Sequence, residues 1–148
     1  MSEKEKKVKR SITGAGVLLW KASNAWQRHV RDGLRSTGIT HVQFLLLQAV
    51  QQLETSGKTP TQIMLARAAG TDVMMTSKVI RTLEKEKLVA RKSSKSDARS
   101  VTLQITILGK KKVAKAAAAI QKSETAFFSK LVAKPHKFVM NLEALASE

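Results

Sequence analysis

The chain has 148 residues, enough for one domain with a substantial core, and 27 Lys+Arg against 11 Asp+Glu give it a formal charge of +16. That balance suits a polyanionic partner, although nucleic acid and membrane surfaces fit charge alone equally well. No apolar run approaches the ~18 residues of a membrane span, and the absence of cysteine removes a disulfide framework and a thiol-oxidation switch.

Residues 1–10, MSEKEKKVKR, form a lysine-rich arm expected to be disordered and solvated. The apolar GVLL that follows is too short for a secretory signal, so the expected compartment is the cytoplasm. Residues 11–36 read as a long helix, with Leu19, Ala22, Trp26, Val30 and Leu34 on a drifting apolar stripe. Thr40 opens another helix, with Gln43 completing a capping box and Ile39 and Phe44 placed as a hydrophobic staple. That helix is expected to end near Gly57.

Thr59 then starts a short helix. Gln62 completes a second capping box and Pro60 takes the first helical position, where its missing N–H costs nothing. Ile63, Ala66 and Ala69 keep an apolar line, and Gly70 is placed to end it in the left-handed conformation. Thr71 or Asp72 caps the next helix at once. So short a connection predicts a tight helix-helix corner, the defining feature of a helix-turn-helix.

The second helix of that pair covers roughly residues 73–86. Thr76, Val79, Ile80 and Leu83 share an inward face, while Met74, Ser77, Lys78, Arg81 and Lys85 share the opposite one. A methyl-reading side chain, a hydroxyl and three cations suit base edges and phosphates. A solvated amphipathic helix explains that face equally well on its own; the corner before it and the hairpin after it favour DNA.

In the hairpin Val101, Leu103, Ile105 and Ile107 alternate with Thr102, Gln104 and Thr106, opposite residues 88–92. The tip, SSKSDARS, carries Lys95, Asp97 and Arg99 and is longer than a two-residue turn. A basic tip of that length suits a wing reaching a minor groove. From Ile107 a long helix is expected to about Val132, its Ala114–Ala119 region allowing another helix to approach closely, and a short helix follows Pro135.

The run LVARKSSKSDARSVTLQITILGKK resembles the MarR family of bacterial transcription regulators. That family carries an Asp-x-Arg pair in the wing, here Asp97 and Arg99, and a Thr-x-x-Gly helix opening, here Thr106 to Gly109. The segments LWKASNAWQRHV and GITHVQFLLLQAV are similar to its first two helices, so the resemblance covers about residues 12–130; the segment after Lys134 departs from it. It implies a mainly α (α+β) winged helix-turn-helix at residues 40–107. Helical dimerisation regions at 11–39 and 108–148 flank it, interdigitating in a homodimer on a near-palindromic site in double-stranded DNA. It further implies a small aromatic or phenolic effector between the dimer helices and the winged domain. Trp20, Trp26, His41 and Phe44 are candidate lining residues there, and Arg28 or Arg31 a candidate anion partner. Each of these reads equally well as core or surface.

Catalysis finds little support. His29, His41 and His136 are isolated, no HExxH or Ser-His-acid spacing occurs, and the single glycines form no phosphate loop. No metal and no cofactor is expected. The leading expectation is a dimeric, sequence-specific transcriptional regulator, a repressor released by a small ligand. The alternatives are a basic nucleoid-type architectural protein and a module docking on an acidic protein.

Overall fold

The computed structural model describes residues 1–93 and 101–147. In chain order it contains α1 (Glu3–Ser11), α2 (Ala15–Leu34), α3 (His41–Thr55), α4 (Gln62–Ala69), α5 (Val73–Lys85), β1 (Val89–Ser93), β2 (Val101–Ile105), α6 (Ile107–Phe128) and α7 (Pro135–Ala146). The mainly helical winged helix-turn-helix is therefore present, with helices on either side of it.

The basic arm is helical rather than disordered. Ser2 and Glu5 cap its first turn reciprocally, and Glu3 and Glu5 at its start and Lys9 and Arg10 at its end complement the helix dipole. Every residue of this helix is exposed. Gly14, at φ 81°, separates it from α2, which therefore starts later than the sequence pattern suggested.

The helix-turn-helix also starts later than expected. Thr61, not Thr59, is the N-cap of α4, its hydroxyl accepting from the Met64 N–H at 3.3 Å. Pro60 is instead buried in the extended approach, where its carbonyl accepts from the Leu103 N–H at 3.0 Å. The helix packs with Leu65 and Ala66 inward, an i, i+1 edge rather than the i, i+3 line, and Ile63 is exposed, not part of the core. At the other end of the hairpin, Ile107 leaves the strand alternation and is exposed, because Thr106 caps α6. Helix α6 stops at Phe128, short of Val132.

The α3 opening is as the sequence predicts. Thr40 Oγ1 accepts from the Gln43 N–H at 3.2 Å and Gln43 Oε1 accepts from the Thr40 N–H at 2.8 Å, with Ile39 and Phe44 both buried. α3 is the central helix, touching α4, α5, β2 and α6. Leu46, Leu47, Leu65, Ile80, Leu83 and Leu88 form the most deeply buried part of the core. Antiparallel pairing of β1 with β2 puts Val89 opposite Ile105 and Arg91 opposite Leu103.

Small residues bring α2 and α6 together. A Cβ added at Gly33 would overlap Ser123 Oγ and lie 3.5 Å from the Ala119 carbonyl oxygen, and Ala116 is fully buried. The alanine-rich stretch thus serves, at least in part, a contact inside one chain. Gly109 solves a second close approach: a Cβ there would overlap the Leu88 carbonyl oxygen and lie 2.8 Å from Ile105 Cγ1.

Candidate nucleic-acid interface

The corner between α4 and α5 is built from backbone hydrogen bonds. Gly70 takes φ 64°, letting the Thr71 N–H reach the Ala66 carbonyl at 2.9 Å and the Gly70 N–H reach Arg67 at 3.3 Å. Asp72 then caps α5, accepting from the Met75 N–H at 2.8 Å. Beneath the corner the buried Thr76 hydroxyl donates to the Asp72 carbonyl at 2.7 Å and lies 2.7 Å from the Thr71 hydroxyl. The turn is closed by polar groups that leave no buried side-chain N or O unpaired among the described residues.

The faces of α5 divide as expected. Thr76, Ile80 and Leu83 are buried and Val79 is half-buried; Met74, Lys78, Arg81 and Lys85 are exposed, with Ser77 half-buried beside them. These five residues make one stripe along the helix. Lys95, Asp97 and Arg99 lie outside the described residues.

Two attachments of the wing are not evident from local sequence. Val89 and Arg91 share the inner face of β1, and Arg91 Nε donates to Glu84 Oε2 of α5 at 2.7 Å. On the other edge, the Ile105 N–H donates to Glu54 Oε1 of α3 at 3.1 Å, beside the Leu103–Pro60 bond. Strand parity in RKS was the available signal for Arg91; Glu54, 51 residues away in sequence, gave none. The exposed side chains of Lys92 on β1 and Arg67 on α4 add positive charge to the same domain.

The four candidate effector residues differ in their surroundings. Trp26 and His41 meet edge to face with centroids 5.2 Å apart, and Trp26 Nε1 donates to Glu124 Oε1 at 3.3 Å. Phe44 is buried in the core, while Trp20 is 71% exposed on α2. Arg28 and Arg31 are exposed. Burial holds the His41 imidazole below its ordinary pKa, opposed by the Glu124 carboxylate. Trp26 also lines an open groove of about 730 Å³ between α2, α6 and α7, with Leu19, Phe127, Phe128, Phe138 and Leu142. The groove is apolar and aromatic. Its ring neighbours include Phe127–Phe128 at 5.1 Å and Phe128–Phe138 at 5.8 Å. Among the described residues no cluster of three His, Asp or Glu side chains could hold a metal, and no helix is long and apolar enough to cross a membrane.

The MarR family model matches residues 39–101, the span from just before α3 to the first residue of β2. The HTH-type transcriptional regulator YdcH of Bacillus subtilis is 39% identical over 133 residues, 90% of each chain. A mutant MarR of E. coli complexed with operator DNA superposes with a TM-score of 0.78 at 18% identity, covering 95% of this chain and 98% of the other. A MarR family protein of Mycobacterium tuberculosis in complex with salicylic acid has a TM-score of 0.67 at 27% identity, over 88% of this chain and 95% of that one. With the corner, the wing and the flanking helices in place, this chain belongs to the MarR family of helix-turn-helix transcriptional regulators.

Proposed function

We propose that the chain is a cytoplasmic, non-catalytic homodimer that represses transcription by occupying a near-palindromic site in double-stranded DNA. The observation that carries this reading is the single stripe of Met74, Ser77, Lys78, Arg81 and Lys85 beside a hydrogen-bonded corner. In the proposal Arg81 and Ser77 meet base edges, Lys78 and Lys85 neutralise phosphates, and Arg99 or Lys95, oriented by Asp97, enters the minor groove. The E. coli relative in complex with operator DNA supports the DNA reading.

The apolar groove supports the dimer. Leu19, Phe138, Val139 and Leu142 line it at the two ends of the chain, where a second copy would cover them. The relative bound to salicylic acid supports a small aromatic effector. Its proposed entry is beside Trp26 and His41, whose rings meet edge to face.

Selection of duplexes from a random library, with sedimentation of the bound protein, tests the reading. A dimer with inverted half-sites roughly one helical turn apart is the expected outcome. Binding that is tight but indifferent to sequence would replace it with the architectural reading that +16 alone favours. Poor binding to every duplex would favour an acidic protein partner.

A further inference from the structure

The first turn of α5 exposes three consecutive apolar side chains: Val73 at 53%, Met74 at 85% and Met75 at 44%. Adjacent exposed apolar groups mark a surface that something covers. Three cations follow Met74 on the same stripe, so a polyanion fits this face better than an apolar protein surface does. In a helix-turn-helix the N-terminal residues of the second helix are the ones that meet base edges in the major groove.

The chemistry of this turn narrows what it can read. Val73 has no polar side-chain atom and the methionine thioethers are only weak acceptors. The Met75 N–H is already held by Asp72. The one apolar feature on a major-groove edge is the C5 methyl of thymine. We propose that Met74, flanked by Val73 and Met75, selects thymine by contact with that methyl, fixing at least one T in each half-site. The inference rests on the DNA-binding reading above and adds a specificity that the cations cannot supply.

The test compares random-core duplex pools synthesised with thymine, with uracil in its place, and with uracil plus 5-methylcytosine. The thymine pool is expected to yield a motif with an invariant T, and the uracil pool to lose preference at that position. The third pool should admit 5-methylcytosine there. On the enriched duplex, replacing that T by U should weaken binding about fourfold per half-site, the value of one buried methyl. Met74→Ala should bind the T and U duplexes alike, whereas Met74→Leu should keep the preference. Melting by circular dichroism should match the parent for both variants, since Met74 is exposed. Equal affinity of the parent for T and U duplexes would overturn this inference alone. A T-over-U preference that survives in Met74→Ala would remove Met74 as the reader. No enriched motif in the thymine pool would overturn the sequence-specific reading and this inference with it.

Discussion

Arg91 Nε donates to Glu84 Oε2 across 2.7 Å, joining the inner face of the wing to the last turns of α5. Both side chains are about one-third exposed, so the pair contributes only ~0–1 kcal/mol to folding. Its expected effect is on the angle between hairpin and helix, which the pair spans. Arg91→Ala is expected to leave melting nearly unchanged and to lower DNA affinity by more than the stability loss explains. The reversed pair Glu84→Arg with Arg91→Glu should recover part of that affinity. A double-mutant cycle on the enriched duplex measures the coupling, and strict additivity would show that the pair does not set the angle.

The stripe on α5 predicts two kinds of defect. Arg81→Ala should relax base preference and cost ~1–3 kcal/mol of binding if its fork meets a guanine edge. Lys78→Ala and Lys85→Ala should weaken binding to all sequences alike and flatten the dependence on salt by about one unit of slope each. Anisotropy titrations at several salt concentrations distinguish the two, and identical behaviour of all three variants would make the helix a non-specific clamp.

Gly109 leaves no room for a side chain against the Leu88 carbonyl. That carbonyl also accepts from the Thr106 N–H at 3.1 Å, so a methyl group would part the wing base from α6. Gly109→Ala is expected to destabilise the protein by ~1–3 kcal/mol, the usual cost of overpacking. Denaturant unfolding checks it; parental stability would mean that the joint can open without penalty.

Lys87 is the one described non-glycine residue with positive φ, at 58°. It ends α5 in a Schellman turn, with its N–H on the Glu84 carbonyl and the Leu88 N–H on that of Leu83, both at 2.9 Å. A side chain here costs energy that glycine avoids, partly offset by the looser unfolded chain. Lys87→Gly should therefore stabilise by up to about 1 kcal/mol. Thermal melting reads the change, and Lys87→Ala should give no such gain.

His41 predicts a pH dependence. Its folded pKa lies below its ordinary value because burial disfavours the imidazolium, with Glu124 opposing. The unfolded chain therefore binds the proton more readily. Stability is full above the ordinary histidine range, near pH 6.5, and falls as pH drops through it toward the lower folded pKa. His41→Gln should flatten the dependence of unfolding free energy on pH below about 6.5 relative to the parent. An unchanged pH profile would assign that slope to other groups.

The sequence revealed most where local chemistry and burial pointed the same way. Thr40 with Gln43, Gly70 and the inward face of α5 all follow from residues a few positions apart. The local pattern misplaces the start of α4 because Thr59-Pro60 makes as good a cap locally as Thr61 does. What decides it is the distant Leu103–Pro60 bond, which holds Pro60 extended. Ile107 misleads for the same kind of reason, since period-two alternation runs on past the residue that caps α6. Phe44 and Trp26 are both aromatic on amphipathic helices, yet only the packed fold shows one as core and the other as groove lining.

The 22 residues of α6 form one unbroken rod, roughly 33 Å long at 1.5 Å per residue. Its first turn is bolted to the wing base through Thr106 Oγ1, which donates to the Lys87 carbonyl at 2.8 Å, and its last turn carries Phe127 and Phe128 of the groove. A rod held this way acts as a lever. A tilt of about 10° imposed at the aromatic end sweeps the hairpin end through about 6 Å, a shift longer than one helical turn. Anything in the groove that tilted this rod would therefore shift the hairpin relative to α3 without touching either.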